Sequence, residues 1–328
     1  MSGTGGMHRS AGLDALRAAA CALVVVFHLH TVAGVSFGPA DPFVSGGDVG
    51  VYIFFALSGY LLYRPFVDRE VDLTTYGIKR AARILPGYYV ALIALTLLTG
   101  SRLATANPVP YLAIASSYSL PLRGFLGSAW TLSAELLFYV ALPLVARLAR
   151  GREIGVLSLL GLVSIAITIA LRTTPTEGNL LLLASFPAVG YAFIPGMLLA
   201  VLELRYPAAF RHLAAWPYAV LGVALILLGL LTHTSPLAIG PGIGTPLLMA
   251  WLLQHRVPYA GPLAFAGGAS YAMYLWHKDV LLAFGAPGLL IALAGSAASW
   301  AIVERPILNW AHSISRGRAG RRTSATPA

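Results

Sequence analysis

The fold is decided by the stretch Gly12-Leu13-Asp14-Ala15-Leu16-Arg17, which leads into an apolar run ending at Phe27-His28-Leu29-His30. An α-helix turns about 100° per residue, so Arg17 and His28 are separated by roughly three full turns plus 20° and about 16 Å of helix axis. Arg17, His28 and Asp14 therefore share one face of a predicted helix, with His28 near the middle of the membrane. Ionisable side chains are costly against lipid, so this face is predicted to line a polar cavity.

The rest of the chain is also strongly apolar. Of its 328 residues, 58% are hydrophobic and only 10% are charged, whereas a soluble domain carries about 25% charged residues. Segments long enough to cross a bilayer, about 20 residues, recur from end to end. The composition therefore excludes a soluble globular domain and predicts an all-α polytopic membrane protein. The ten predicted transmembrane helices lie near residues 12–34, 48–66, 84–100, 129–148, 154–171, 180–203, 215–232, 237–253, 263–284 and 288–308.

The distribution of basic residues predicts the topology. With the N-terminus in the cytoplasm, 17 of the 22 Lys and Arg residues fall on the cytoplasmic side. Three fall outside (Arg102, Arg123 and Arg172) and two lie within spans (Arg17 and Lys278). This asymmetry follows the positive-inside rule and predicts that both termini are cytoplasmic.

The same topology predicts the domain organisation. Residues 1–11 are predicted to be a disordered cytoplasmic N-terminus, 12–310 a transmembrane domain around a central polar cavity, and 311–328 a basic cytoplasmic tail. The net charge of +10 is then explained by topology and by a tail that suits an anionic leaflet. It does not indicate a nucleic-acid partner, and the sequence contains no nucleic-acid-binding module.

His28 is the first candidate for chemistry. A neutral imidazole can act as general base for a hydroxyl that attacks an acyl carbonyl. The alternative is an interior histidine that only bonds to a neighbouring helix. His30 points about 160° away from His28 and is predicted to lie at the membrane interface.

Two arginines before the third predicted span form the second candidate. Arg80 and Arg83 occur in Lys79-Arg80-Ala81-Ala82-Arg83, so they are neighbours if the stretch is helical. Guanidinium groups bind phosphate through paired hydrogen bonds, which predicts a basic mouth for an anionic cytoplasmic ligand. The alternative is ordinary positive flanking of a transmembrane helix.

Polar residues inside other apolar runs are candidates for binding the second substrate. Glu135 has Tyr139 one turn further on; it is predicted either to orient an acceptor hydroxyl and receive its proton or to pair with an arginine. Ser58 could line a cavity, although its segment also has glycines whose role could be helix packing. His277, beside Lys278 in the ninth span, is the last of these candidates.

Metal-ligand spacing is absent, since the eight histidines are scattered and Cys21 is the single cysteine. We therefore expect no metal ion and no permanently bound cofactor.

Six motifs in the order of the predicted spans resemble the integral-membrane acyltransferase family 3. The resemblance covers roughly residues 10–310. Tyr52 and Ala134 depart from the residues common in the family, which leaves the acceptor open. The motifs are Asp14 to Arg17 with His28; Gly50-Val51-Tyr52-Ile53-Phe54-Phe55 with Ser58-Gly59; Arg80 and Arg83 before Pro86; Trp130-x-Leu132-Ser133-x-Glu135 with Phe138-Tyr139; Ser270-Tyr271 with Leu275 and His277; and Glu304-Arg305-Pro306.

The resemblance implies transfer of an acyl group, commonly acetyl, from cytoplasmic acyl-CoA to a hydroxyl of a glycan, a lipid or a secondary metabolite. It matches Arg17 and His28 to an essential arginine–histidine pair, and Arg80 and Arg83 to an arginine pair. With Arg17 it assigns Arg80 and Arg83 to the phosphates of acyl-CoA. It also implies a multi-pass protein of the plasma (inner) membrane, and the high alanine, glycine and arginine content favours a bacterial source.

Two other classes of function stay open at this point. A proton-coupled secondary transporter could use Arg17, His28 and His277 as a proton relay, although no inverted repeat is visible. A membrane scaffold for envelope synthesis would need none of these side chains.

Overall fold

The computed structural model describes residues 11–173, 176–183, 185–232, 239–255 and 260–324, and within these ranges the chain is helical without a β-strand. The helices are α1 Ala11–Thr31, α2 Asp41–Val44, α3 Val49–Asp68, α4 Leu73–Thr99, α5 Leu103–Ala106, α6 Pro108–Leu112, α7 Trp130–Ala149, α8 Glu153–Thr173, α9 Glu177–Leu182, α10 Phe186–Val189, α11 Ile194–Arg205, α12 Pro207–Leu213, α13 Trp216–Leu231, α14 Ile239–Gln254, α15 Ala260–Phe284, α16 Gly288–Ala298 and α17 Arg305–Ser324.

Among the described helices, six are long and apolar enough to cross a membrane. The count rises to as many as eight when two bent pairs of helices each count as one span. The bent pairs are α10 with α11, at 46°, and α12 with α13, at 63°. By the criteria of length and composition, the described helices therefore do not reach the ten spans that the sequence predicts. The helices are α1, α3, α4, Gly127–Ala149, α8 and Gly288–Ile314.

The sixth predicted span is broken in the middle. Residues 180–203 were predicted as one span interrupted by proline and glycine; the structure has α10, a 3₁₀ turn at Gly190–Ala192 and then α11. Pro187 and Pro195 each lie in the first turn of a new helix. Proline fits there because its missing N–H has no partner in that turn.

Glycines allow α3 to approach both α1 and α11 closely. A Cβ on Gly50 would clash with the carbonyl of Ala20 in α1, and a Cβ on Gly59 with that of Phe193. Gly196 in α11 lies against the carbonyl of Ala56 in α3. The packing role predicted for Gly50 and Gly59 is confirmed, and it holds α1, α3 and α11 in contact.

Charged side chains gather where α3 and α11 end. Arg64 Nε lies 2.7 Å from Glu203 Oε2, and Arg205 lies 3.7 Å from both Asp68 and Glu153. All five residues are close to the predicted cytoplasmic surface, so the ion pairs mark one end of the helical bundle.

The predicted limits of the domain shift slightly. Ala11, predicted to be disordered, begins α1, and residues 1–10 lie outside the described ranges. The third helix begins at Leu73 rather than near residue 84, because the Asp72 carboxylate caps it by accepting from the Thr75 N–H. Arg80 and Arg83 therefore lie within α4, which confirms that they are helical neighbours.

Candidate functional site

A cavity of about 120 Å³ lies among α1, α3, α4, α7 and α15. Its lining brings together three guanidinium groups and one carboxylate, so we call it the arginine cavity. Of the predicted site residues, it gathers six that are far apart in the sequence. These are Arg17, Ser58, Arg80, Arg83, Glu135 and Tyr139.

Arg80 is positioned by an aromatic ring and has one unpaired donor. Its guanidinium lies over the Tyr139 ring, 5.7 Å from the centroid. Its Nε is buried without a hydrogen-bond partner. A buried donor without a partner costs about 1–3 kcal/mol, and an anionic ligand would remove that penalty.

Arg17 and Arg83 are held by their surroundings. Arg17 Nη1 donates to Asp14 Oδ1 at 3.0 Å, and Asp14 is almost fully buried. The Arg83 guanidinium lies 5.4 Å from the centroid of the Tyr271 ring and 5.7 Å from that of Trp300. Stacking on aromatic faces fixes an arginine without neutralising its charge.

Glu135 has hydroxyl partners rather than a cation. Its Oε1 accepts from Ser58 Oγ at 2.8 Å and from Tyr139 OH at 2.7 Å. Among the described residues, no Lys or Arg lies within ion-pair distance of Glu135. The hydrogen-bond partners of Glu135 in the described part of the chain are thus hydroxyl groups, and the carboxylate faces the same cavity as the three arginines.

His28 and His277 form a pair. His277 Nε2 lies 2.9 Å from His28 Nδ1, while His28 Nδ1 also lies 3.0 Å from the Val24 carbonyl and His277 Nδ1 lies 3.0 Å from the Met273 carbonyl. A carbonyl only accepts, so a hydrogen on each Nδ1 satisfies both carbonyl contacts, and the single His28 hydrogen is then shared between the Val24 carbonyl and His277 Nε2. In the neutral ring this leaves His28 Nε2 without a proton, as a general base requires.

The histidine pair does not line the arginine cavity. It lies beyond Tyr274, whose ring centroid is 5.8 Å from that of His277. Because α1 ends at Thr31, His28 is in its last turn rather than near its middle. Arg17 and His28 thus share a helix, but the described cavity reaches only the arginine.

A second cavity, of about 380 Å³, lies near the pair. We call it the lysine cavity because Lys278, the residue after His277, contributes to its lining. Arg123 and Arg172 also line it, together with the rings of Tyr52, Trp130 and Tyr191.

Aromatic side chains separate the two cavities. Phe54 and Tyr274 line the arginine cavity, with ring centroids 5.9 Å apart. Phe55, on the same side, packs edge-to-face at 6.1 Å on Trp130, which lines the lysine cavity. Tyr274 and Lys278 are one helical turn apart on α15, so the cavities approach within about 6 Å along that helix.

Sequence reasoning missed Tyr271 and Tyr274 as parts of the site. Both lie on α15, six and three residues before His277 respectively, and residues three apart share a helix face. That spacing could have identified them. Arg123 and Arg172 had been treated only as part of the charge count.

Two further polar residues have local hydrogen-bond partners. His30 Nδ1 lies 2.9 Å from the Val35 carbonyl, away from the histidine pair. Glu304 is fully buried, and its Oε1 accepts from Ser299 Oγ at 2.8 Å. In the described part of the chain, no three His, Cys, Asp or Glu side chains are grouped so that they could hold a metal ion.

Comparison with known proteins identifies the family. Residues 10–309 match the family described as "Acyltransferase domain". The chain belongs to this family, which makes it a membrane acyltransferase that transfers groups other than aminoacyl groups. No solved structure matches it.

Three relatives show how far the similarity extends. Exopolysaccharide production protein ExoZ of Rhizobium meliloti (strain 1021) is 30% identical over 311 residues, covering 85% of this chain and 93% of the relative. The O-acetyl transferase of Shigella phage Sf6 is 27% identical, covering 74% and 80%. The putative peptidoglycan O-acetyltransferase YrhL of Bacillus subtilis (strain 168) is 25% identical, covering 83% of this chain and 48% of the relative.

Proposed function

We propose that this chain is a multi-pass O-acetyltransferase of a bacterial plasma membrane, which moves acetyl from cytoplasmic acetyl-CoA to a hydroxyl of a glycan. A glycolipid or a secondary metabolite with such a hydroxyl would suit the same chemistry. The names of the relatives support acetyl as the group and a glycan as the acceptor. The observation that carries the proposal is the histidine pair, because its hydrogen bonds leave His28 Nε2 free as a base.

The arginine cavity is proposed to bind the donor. Arg17, Arg80 and Arg83 supply the positive charge that the phosphates of acetyl-CoA need. The cavity, at about 120 Å³, is small compared with typical ligand sites of about 300–1,000 Å³. It therefore suits one phosphate group or part of the pantetheine arm, with the nucleotide outside its mouth.

The proposed reaction transfers acetyl in one displacement. His28 Nε2 takes the proton of the acceptor hydroxyl while that oxygen attacks the thioester carbonyl. The carbon–sulfur bond breaks, and the thiolate leaves with the proton that His28 now carries. The products are an O-acetyl ester and free CoA, and His28 returns to its starting state.

The remaining site residues are proposed to position the groups that react. His277 holds the His28 ring in the tautomer with a free Nε2. Ser58 and Tyr139 fix the carboxylate of Glu135, and these three are assigned to the acceptor hydroxyl at the point where it meets the thioester of the donor. Because His28 lies outside the described arginine cavity, a shift of Tyr274 is needed to connect the donor to the base.

Purified protein in lipid nanodiscs tests the proposal. Acetyl-CoA and a mixture of bacterial envelope oligosaccharides are supplied, and free CoA and acetylated product are measured by mass spectrometry. The wild type is expected to form both in equal amounts, whereas the His28→Ala variant forms neither. Wild-type turnover in His28→Ala would overturn the assignment of the base.

Failure of the wild type to release CoA from acetyl-CoA with every oligosaccharide would overturn the proposed reaction itself. Folding of the variant is checked by size-exclusion elution at the position of the wild type. The matched control is His30→Gln, which changes a histidine in the same last turn of α1. Its turnover is expected to equal that of the wild type, because His30 bonds only within its own loop.

A further inference from the structure

The lysine cavity collects basic residues where the sequence has few of them. Only three of the 22 Lys and Arg residues are assigned to the outer side, and two of these, Arg123 and Arg172, line this cavity beside Lys278. Basic residues on the outer side oppose the usual charge bias of membrane proteins. The charge bias that sets membrane topology therefore does not explain why these residues meet at one cavity, whereas a bound anionic ligand would.

The described lining of the lysine cavity is basic rather than acidic. Its described lining contains no Asp or Glu. Asp279, next to Lys278 in the sequence, accepts through Oδ1 from the Leu126 N–H at 2.8 Å. Like charges gathered in one lining repel one another, so an anion entering the cavity would be bound favourably.

Arg123 is fixed in position, and Lys278 has room to reach a ligand. Arg123 Nε donates to the Ser117 carbonyl at 2.7 Å, and its Nη2 is buried without a partner. Gly127 faces the amine of Lys278, where a Cβ would lie only 2.9 Å from Nζ. The missing side chain at Gly127 leaves the amine space to reach a ligand.

The size and aromatic lining favour a saccharide as the carrier of that anion. At about 380 Å³ the cavity is within the range of roughly 300–1,000 Å³ typical of small-molecule sites. Tyr52, Trp130 and Tyr191 contribute flat apolar faces, which pack well against the C–H faces of sugar rings. Hydroxyls of the same rings can meet the polar edges of the cavity.

We propose that the lysine cavity binds an anionic saccharide, with its carboxylate or phosphate held by Arg123, Arg172 and Lys278. This inference rests on the proposed function, since it makes that saccharide the acceptor. Lys278 follows His277 directly, so a sugar bound there lies near the histidine pair. The charged group thus sets which acceptors are chosen, while His28 does the chemistry.

Binding of three labelled tetrasaccharides tests the inference. One is neutral cellotetraose, one has the same length with a terminal glucuronate, and one has the same length with a terminal sugar phosphate. Each is titrated against the full chain in phosphatidylcholine nanodiscs without acetyl-CoA. At least one charged tetrasaccharide is expected to bind ten-fold or more tightly than the neutral one, and the comparison of the two shows whether carboxylate or phosphate is preferred.

Variants of the basic residues show whether the preference for charged tetrasaccharides arises in the lysine cavity. Arg172→Gln is expected to reduce the preference several-fold, and the double variant Arg172→Gln, Lys278→Gln to abolish it. Arg102→Gln removes a basic residue assigned to the same side but outside the cavity, so it should keep the preference. Equal binding of charged and neutral probes by the wild type, or a preference that survives in the variants, would overturn the inference.

Because the side chain of Arg172 is exposed, the single variant Arg172→Gln is expected to fold, and it tests the inference even if the double variant does not fold.

Measuring acetyl transfer in the same samples separates the two proposals. A charge preference without acetyl transfer contradicts the proposed function alone. Acetyl transfer to neutral and charged probes at equal rates, with equal binding, contradicts only the anionic acceptor. Binding that appears only in nanodiscs with anionic lipid would assign the basic residues to lipid headgroups and overturn the inference.

Discussion

The arginine cavity and the lysine cavity both collect three basic residues, but they hold them differently. In the arginine cavity Arg83 is stacked on aromatic rings, Arg17 is bonded to Asp14, and a carboxylate faces the same space. The lysine cavity is about three times larger, and its described lining has no acid. The first arrangement fits one compact anionic group in a fixed pose, and the second fits a bulkier ligand that carries a charge.

The largest effect should come from the histidine pair that lies near both cavities. His28→Ala removes the proposed base, and general-base catalysis contributes about 10²–10⁴-fold to a rate. We expect kcat to fall by that factor, with binding of charged tetrasaccharide unchanged. Acetyl transfer and binding measured on one preparation check this, and a loss of binding equal to the loss of rate would contradict the separation of roles.

Removing the Arg80 side chain should weaken binding of acetyl-CoA in the arginine cavity and leave the lysine cavity unaffected. Hydrogen bonds to charged groups contribute about 1.5–3 kcal/mol, so Arg80→Ala is expected to raise KM for acetyl-CoA by about 10–100-fold. Steady-state kinetics with varied acetyl-CoA measure this. Lys79→Ala is the control, because Lys79 is adjacent in sequence but does not line the cavity, and its KM should stay within two-fold of the wild type. An unchanged KM in Arg80→Ala would break the assignment of this cavity to the donor.

Two substitutions of Glu135 separate the effect of its hydrogen bonds from the effect of its negative charge. Glu135→Gln keeps an oxygen that can accept from Ser58 and Tyr139, whereas Glu135→Ala leaves two hydroxyls without a partner at about 1–3 kcal/mol each. We expect kcat to fall much further in the alanine variant than in the glutamine variant. Equal losses would mean that the negative charge of Glu135, rather than its hydrogen bonds, is what the reaction needs.

The contact between α1 and α3 supports both cavities, and Gly50 tests it. A Cβ at Gly50 meets the backbone of Ala20, which cannot move aside, so Gly50→Ala should lower stability by about 1–3 kcal/mol. Gly155→Ala is the matched control in α8, since nothing lies within 4 Å of its added Cβ, and a gain of up to about 1 kcal/mol is expected. Thermal unfolding in detergent, followed by tryptophan fluorescence, measures both; equal melting temperatures would contradict the close contact.

The smallest effect concerns the loop that follows α1. The Asp41 carboxylate accepts from the Phe37 N–H at 2.6 Å and from Ser36 Oγ at 2.9 Å, and the hydrogen bond from Phe37 lowers its pKa. The ionised Asp41 carboxylate therefore stabilises the loop fully at any pH above the usual pKa of an aspartate. This stabilisation is lost as the pH falls through the lowered pKa of Asp41. Asp41→Asn should speed amide exchange in residues 36–41 at neutral pH while leaving turnover unchanged. Hydrogen-exchange mass spectrometry checks it, and unchanged exchange would refute the role of the charge.

The helical character and the Arg80–Arg83 pairing could be predicted from sequence because both follow from local periodicity. The family was also predictable, since six short motifs occur in a fixed order. The number of spans was less certain because Pro187 and Pro195 start new helices, and a hydropathy pattern does not distinguish a bent span from two segments.

The partners within the site could not be predicted. The contact between His28 and His277 joins residues far apart in the sequence, and no single-helix pattern specifies which helices meet. The same holds for Glu135, for which the sequence left open an arginine partner or a role towards the acceptor hydroxyl, and did not predict the hydrogen bond from Ser58. Arg123 and Arg172 became informative only when folding brought them to one cavity.

The aromatic wall of Phe54, Phe55, Trp130 and Tyr274 has a consequence for the energy supply of the cell. If the two cavities open to opposite sides of the membrane, these rings and the histidine pair are the described groups that separate cytoplasm from exterior at this point. Packed rings in that position would oppose a chain of water molecules along which protons could leak. An acetyl group could then cross by the motion of one or two side chains while the proton gradient is preserved.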